Sequence, residues 1–384
     1  MSQKFQESQK SYIQQPMFNK ISLYLKNFDW ILFFSVFLLS CFGLAEIYSV
    51  ALGQETVSLL NFKKQIFFIG VGVMLLFFFS FLDYRFLRNS SHYLYLLGTA
   101  VLIIVLIFGE TVRGTRGWFF FGTWSFQPVE FIKIILIIFL ARFFSVLATQ
   151  LRPWKHLILS GAGGLLFVIL ILLQPDFGSS LILLLIWLVM VIMAGFNKKH
   201  LLIIALILLT VLAGLWMFSF KDYQKQRVLT FLDPSFSPLK QGYNVAQAII
   251  AVGAGGLTGR GIGFGSQSQL KFLPEAQNDF IFAVTSEELG FFGVSLMIFF
   301  FAVFFYRCLS NLNKVNNDFG IFFILGAVGL IFMEMFINIG MNIGVLPVVG
   351  ISLPFVSYGG SAIFSAFILV GIIESIIIRS KINY

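Results

Sequence analysis

Apolar residues fall in ten long runs separated by shorter polar stretches, at about 30–50, 65–82, 93–108, 129–149, 157–174, 179–195, 201–219, 280–306, 319–340 and 361–378. Most are apolar on every side, unlike the one-sided stripe of a surface helix. Each approaches the ~20 residues that cross a hydrocarbon core as helix. The pattern predicts an all-α polytopic membrane protein of about ten transmembrane helices. Residues 1–29 form a polar N-terminal tail, 30–378 a single membrane domain, and 379–384 a C-terminal tail. The tail 1–29 has four lysines and no long apolar stretch, and the run from Trp30 exceeds a signal-peptide core, so the first run is expected to be a retained span.

Composition supports this reading. The chain is 58% hydrophobic and 11% charged, with a mean hydropathy of +0.92. A soluble domain carries roughly 25% charged residues, so a soluble fold is excluded. A net charge of +9 in a soluble protein would suggest nucleic acid. Here it is an orientation signal, because cytoplasmic loops concentrate Lys and Arg. Fourteen Lys and Arg lie on the loops and tails that share a side with the N-terminus, against four on the short loops of the other side. Both termini are therefore expected in the cytoplasm, with the connections after runs 1, 3, 5, 7 and 9 facing outward. The two cysteines and three histidines lie far apart, with no metal-ligand spacing. No organic cofactor or nucleic acid is expected.

The unusual residues face outward. The stretch 220–279 is too long for a simple connection, and its Pro pairs and the apolar piece at Asn244–Val252 predict a structured extracellular loop. The glycines from Gly253 to Gly265 fit no phosphate-binding pattern and are expected to pack flexibly at the membrane surface. Before run 4, Arg113, Arg116 and Trp118 precede Gln127-Pro128, with Glu130 and Lys133 three apart on one helix face. That pair is either a structural ion pair or the charged wall of a cavity, with Arg116 and Lys133 available to a phosphate. In Gln174-Pro175-Asp176-Phe177-Gly178, Asp176 is expected to cap the next helix in preference to a catalytic role. Glu275 and Asp279 meet the outer membrane surface at the start of run 8. A carboxylate there can cap a helix, act as general base on a sugar hydroxyl or hold a divalent cation. Between runs 9 and 10, Asn338, Pro347, Pro354, Ser357 and Tyr358 mark broken helix at membrane depth, which protein or a water-filled cavity must cover. Glu334, inside run 9, needs a partner that the sequence does not reveal.

Five ordered motifs together resemble one family. QPVEFIK at 127–133, QPDFG at 174–178, GYNVAQAIIAVGAGG at 242–256, FLPEAQNDFIFAVTSEELGFFG at 272–293 and NIGMNIGVLPVVGISLPFVSYGGSA at 338–362 are similar to signatures of the SEDS proteins (shape, elongation, division and sporulation). The likeness spans roughly residues 28–378 and leans to the rod-shape (RodA) branch over the division (FtsW) branch. It implies a ten-span glycosyltransferase of the bacterial cytoplasmic membrane. Such enzymes polymerise lipid II at the outer face, release undecaprenyl diphosphate and work with a class B penicillin-binding protein. It further implies Asp279 as the essential aspartate, and Trp118, Glu130 and Lys133 as family positions. This chain departs from the family in having Val129 for a frequent Ser, Asn278 for a frequent Thr, and Gly117 between Arg116 and Trp118.

On this reading Asp279 is the base of an inverting transfer. Trp118, Glu130, Lys133, Arg116, Glu275 and Lys271 bind substrate, and Arg116, Lys133, Arg227 and Lys271 are candidates for the diphosphate. Mg²⁺ or Mn²⁺ is expected to assist, with ligands not identified. Two rival readings are a lipid II flippase, which would use Glu130, Lys133 and Glu334 as a polar path, and a non-catalytic scaffold for the transpeptidase.

Overall fold

The computed structural model describes residues 17–53, 58–112, 114–122, 124–147, 153–218 and 241–382, with positions 225, 229 and 231 between the last two. Residues 1–16, Arg113, Arg227 and most of 219–240 lie outside the described residues. Each apolar run is a helix: α2 (Trp30–Leu52), α3 (Leu60–Phe81), α5 (Ser91–Phe108), α6 (Val129–Leu147), α7 (Pro153–Leu172), α8 (Phe177–Met193), α9 (Lys198–Phe218), α12 (Ile281–Leu312), α13 (Asp318–Asn342) and α14 (Gly360–Ile382). Among the described residues, α2, α3, α5, α7, α12, α13 and α14 are long and apolar enough to cross a membrane. Shorter helices are α1 (Met17–Asn27), α4 (Tyr84–Asn89), α10 (Gln241–Ala254) and α11 (Ser266–Gln269).

The chain is not purely helical, which corrects the all-α expectation. Residues 110–126 form a three-stranded antiparallel sheet, β1 (Glu110–Val112), β2 (Thr115–Phe121) and β3 (Trp124–Phe126), in that order. The register pairs Glu110 with Trp118 and Phe119 with Phe126. Thr, Trp and Phe favour a pleated surface, but the strands are too short to show a period of two.

α14 forms the centre of the bundle. Its side chains from Ser365 to Ile378 are all buried, and it packs along α3. The end of the bundle where α2 starts and α14 finishes is locked by charge. Asp29 caps α2 by accepting from the Leu32 N–H at 3.2 Å. The same carboxylate accepts from Arg307 Nη2 at 2.6 Å and Asn311 Nδ2 at 2.7 Å, both on α12. Its own N–H donates to Glu374 Oε2 on α14 at 3.1 Å.

The opposite end is built around a broken helix. α12 is interrupted at Gly290, with φ 64° and ψ −162°. Four backbone groups at the break find partners in the segment after α10. Arg260 N donates to Glu287 O at 3.0 Å and Gly261 N to Glu288 O at 2.9 Å, while Phe291 N and Phe292 N donate to Gly256 O and Leu257 O at 2.9 and 3.1 Å. Unpaired backbone groups at membrane depth cost several kcal/mol each, so the loop is part of the helix's hydrogen bonding. This corrects the expectation of flexible glycines. A Cβ on Gly255 would lie 1.8 Å from Ser286 O, and one on Gly259 2.1 Å from Glu288 O. They are glycines because backbone meets backbone there.

Glu287 and Glu288 are fully buried beside this break. Glu287 accepts from the N–H groups of Gln267 and Ser268 at the start of α11, at 2.9 and 3.2 Å. Glu288 accepts from Ser49, Gly263, Ser268 and Gln269. Glu46 on α2 is also fully buried, and neither of its carboxylate oxygens has a hydrogen-bond partner.

Candidate functional site

The four polar motifs of the membrane domain converge at the end of the bundle formed by the sheet and residues 241–279. Asp279 stands immediately before α12, half-buried. It is not the cap of that helix: the cap position is Phe280, with no side-chain hydrogen bond. Instead Asn342 Oδ1 accepts from the first-turn N–H of Ala283 at 3.2 Å, a cap supplied by another helix.

Two asparagines on α13 hold Asp279 through its backbone. Asn338 Nδ2 and Asn342 Nδ2 each donate to the Asp279 carbonyl at 3.0 Å. Asn338 Nδ2 also reaches Ile351 O at 2.7 Å, tying the segment between α13 and α14 to the same point. Both asparagines are fully buried, and they lie four apart so that one helix face carries both. Their grip on the carbonyl fixes the backbone at Asp279. Its Oδ2 would lie 3.6 Å from a Cβ built on Gly350, an exposed glycine with φ +73°.

The motif around Ser357 clasps the preceding residues. Ser357 Oγ donates to Asn278 O at 2.7 Å and accepts from Leu353 N at 2.8 Å. Tyr358 N donates to Gln277 O at 2.8 Å. Gln65 on α3 bridges Ser357 O and the Gly359 N–H at 3.2 and 3.3 Å. Glu275, at φ +55°, accepts from Asn278 Nδ2 at 2.7 Å. Lys271 is exposed with φ +58°. Pro347 is half-buried in the same connection.

Deeper in the bundle, Lys133 lies between two carboxylates, at 2.8 Å from Glu130 Oε1 and 2.6 Å from Glu334 Oε1. Lys133 is thus the partner of Glu334 that the sequence did not reveal. The ammonium is thus held as an ion pair and is not open to a phosphate. With Ser352, Pro354 and Ser365 the triad lines a cavity of about 20 Å³, roughly room for one water.

Asp176 caps α8, accepting from Ser179 N at 3.0 Å and Ser179 Oγ at 2.7 Å. Burial pushes its carboxyl above the ordinary carboxylate range, against the Ser179 hydrogen bonds and the nearby Lys133 charge. Gly178, two residues on, abuts the Val349 carbonyl, which a Cβ would meet at 2.4 Å. The sheet roofs this corner: Arg116 N donates to Gln174 O at 3.0 Å. The Arg116 guanidinium covers the end of α5, with Nε at 3.0 Å from Gly109 O and Nη2 at 2.8 Å from Ile107 O. It is a helix C-cap, so the diphosphate role expected for it finds the group already engaged. Trp118 is half-buried in the middle of β2. Among the described residues no group of three or more His, Cys, Asp and Glu could hold a metal ion.

Gln65, and Asn61 whose Nδ2 donates to Gln277 Oε1 at 2.8 Å, are site-supporting residues that sequence reasoning passed over. Gln65 alone had a usable signal, an amide at the start of an apolar run.

This architecture matches known proteins. The model of the FtsW/RodA/SpoVE family of cell cycle proteins matches residues 29–382, and the chain belongs to that family. Stage V sporulation protein E of Bacillus subtilis is 36% identical over 319 residues, covering 82% of this chain and 86% of that protein. Peptidoglycan glycosyltransferase MrdB of Escherichia coli K12 is 35% identical over 318 residues, covering 82% and 85%. Among solved structures, the rod shape determining protein RodA of Thermus thermophilus superposes with a TM-score of 0.68 at 26% identity, covering 91% of this chain and 96% of that one. A chain from work on "structural coordination of polymerization and crosslinking by a peptidoglycan synthase complex" superposes with a TM-score of 0.77 at 29% identity, covering 92% and 98%.

Proposed function

We propose that the chain is a peptidoglycan glycosyltransferase that polymerises lipid II at the outer face of the bacterial cytoplasmic membrane, for elongation of a rod-shaped cell. In this reading the ten apolar helices all cross the bilayer, both termini are cytoplasmic, and Asp279 faces the outside. The observation that carries it is the setting of Asp279. Its carbonyl is gripped by Asn338 and Asn342, and its carboxylate lies beside exposed Gly350. A half-buried carboxylate with a fixed backbone suits a general base.

The acceptor hydroxyl loses its proton to Asp279 as its oxygen attacks the anomeric carbon of the donor. The diphosphate leaves from the opposite side, so a single displacement inverts an α-linked donor to a β-linked glycan. Asn278 and Glu275 hold the turn before Asp279, and Trp118 and Lys271 are proposed to contact the substrate. A Mg²⁺ or Mn²⁺ ion bound by the diphosphate would offset the departing charge. Mg²⁺ commonly binds through one or two carboxylates plus substrate phosphates; Glu275, in the turn before Asp279, would be the protein ligand, with Asp279 kept as the base. A class B penicillin-binding protein is the proposed partner. The cavity of about 20 Å³ at Lys133 has no room for a sugar headgroup, which weighs against the flippase reading. The test is glycan formation from lipid II by the purified protein. Asp279→Asn is expected to abolish it, and wild-type polymerisation by that variant would overturn the assignment.

A further inference from the structure

The opposite end of the bundle holds a second polar cavity that the polymerase reading does not use. It is an open pocket of about 470 Å³ between the end of α4, the end of α6 and the start of α13. Arg88 and Asn89 come from α4, Arg142 and Ser145 from α6, and Asn316 and Asn317 from the turn before α13. It lies at the far end of α12 from Asp279, because α12 runs from Ile281 to Leu312 and the α13 turn follows.

The walls are fixed. Arg142 Nη1 donates to the Arg88 carbonyl, joining α6 to α4. Asn317 caps α13 through the Gly320 N–H at 2.7 Å, and its Nδ2 donates to Tyr84 Oη at 2.9 Å. Tyr84 in turn stacks on Phe319, with ring centroids 6.1 Å apart.

The guanidinium groups are left over. Each arginine has five N–H donors and no acceptor. Arg142 uses Nη1 on the Arg88 carbonyl; among the described residues the Arg88 side chain has no hydrogen bond, and neither group is within ion-pair range of a carboxylate. Asp318 also lines the cavity, but as an exposed residue in the first turn of α13 it is favoured there by the helix dipole. Two half-buried arginines on adjacent helices with spare fork-shaped donors match the oxygens of a phosphate.

We infer that this cavity is a phosphate-binding site at the end of the bundle remote from Asp279, taking the phosphate of an anionic lipid headgroup or of a soluble phosphate compound. Basic pockets between membrane helices on the cytoplasmic side bind such headgroups. The inference stands independently of the polymerase reading.

The test uses the whole chain in detergent with three probes: dioctanoyl phosphatidylglycerol, dioctanoyl phosphatidylcholine and inorganic phosphate. Binding is read by native mass spectrometry and by the rise in melting temperature. Wild type is expected to bind phosphatidylglycerol more tightly than phosphatidylcholine, and Arg88→Gln to weaken that binding about tenfold. Arg88→Gln and Arg142→Gln together are expected to abolish it. Equal binding and competition by inorganic phosphate would assign the site to a soluble phosphate, while phosphatidylglycerol binding without such competition assigns it to the lipid. Arg142→Gln also loses a structural bond. Arg88→Gln alters a side chain with no hydrogen bond among the described residues, so it carries the test if the double variant does not fold. If wild type binds no probe, or if Arg88→Gln binds every probe as wild type does, the inference is overturned.

Discussion

The asparagine clamp on Asp279 can be tested by a double-mutant cycle. Asn338→Leu and Asn342→Leu each remove one of two 3.0 Å donors to the Asp279 carbonyl. In either single variant the carbonyl keeps one donor. The loss at that point is then a net hydrogen bond of ~0.5–1.5 kcal/mol. In the double variant the carbonyl has neither, and an unsatisfied buried acceptor costs ~1–3 kcal/mol. The two substitutions should therefore be worse together than their sum by ~1 kcal/mol or more, above the ~0.3–0.5 kcal/mol scatter of independent sites. The side losses at Ile351 O for Asn338 and at Ala283 N for Asn342 cancel in the cycle, while the 3.4 Å contact of Asn342 Nδ2 with Asn338 Oδ1 is lost in both singles and lowers the measured excess. Stability would be read from melting of the purified protein, and positioning from the rate of glycan formation. A misplacement of 1 Å can cost about 100-fold in rate, so the double variant should fall about that far while each single stays within about tenfold of wild type. Additive stabilities with a double-variant rate near wild type would refute the clamp.

Three further outcomes follow from the same geometry. Lys133→Met leaves Glu130 and Glu334 without their shared cation and should destabilise by ~3–5 kcal/mol. Melting of the Glu130→Gln, Lys133→Met, Glu334→Gln triple variant should recover most of that, and a triple variant no better than the single would sink the pairing argument. Gly255→Ala puts a methyl against the Ser286 carbonyl, so hydrogen exchange at 255–261 should rise, and unchanged protection would show that the loop docks otherwise. Burial pushes the Asp29 carboxyl up, but the Arg307 and Asn311 hydrogen bonds and the Leu32 N–H outweigh it, so it titrates below its ordinary 3.8. A carboxylate with a lowered folded pKa contributes stability above its unfolded value and loses it as pH falls through the folded one. Melting should therefore fall with acid below about pH 4, and Asp29→Asn should flatten that limb; an equal acid loss in the variant would assign it to other groups.

Much of the fold could be read from the apolar runs, because a bilayer forces long continuous hydrophobic helices that need no periodicity to be seen. All ten runs are helices, with ends within six residues of their expected bounds. The sheet at 110–126 was missed because two of its strands are three residues long. The site was legible as residue types and illegible as contacts. Glu334 stood out as a lone carboxylate in an apolar run, yet its partner Lys133 is 201 positions away. Arg116 looked like a phosphate ligand because sequence does not reveal that the end of α5 stands beside it. Asn338 and Asn342 were visible as polar residues near a broken helix, but their shared target on Asp279 depends on two elements meeting in space.

The break at Gly290 carries a consequence for how the protein is made. Gly256, Leu257, Arg260 and Gly261 leave the ribosome before Glu287, Glu288, Phe291 and Phe292, to which they bond. Until both halves of α12 are in the bilayer, the loop has no helix to complete and the helix has an open seam of two carbonyls and two N–H groups. Docking of residues 256–261 therefore completes the hydrogen bonding of α12. An insertion that lengthens the loop between α10 and α12 would be registered first as a failure of biogenesis, before any effect on chemistry.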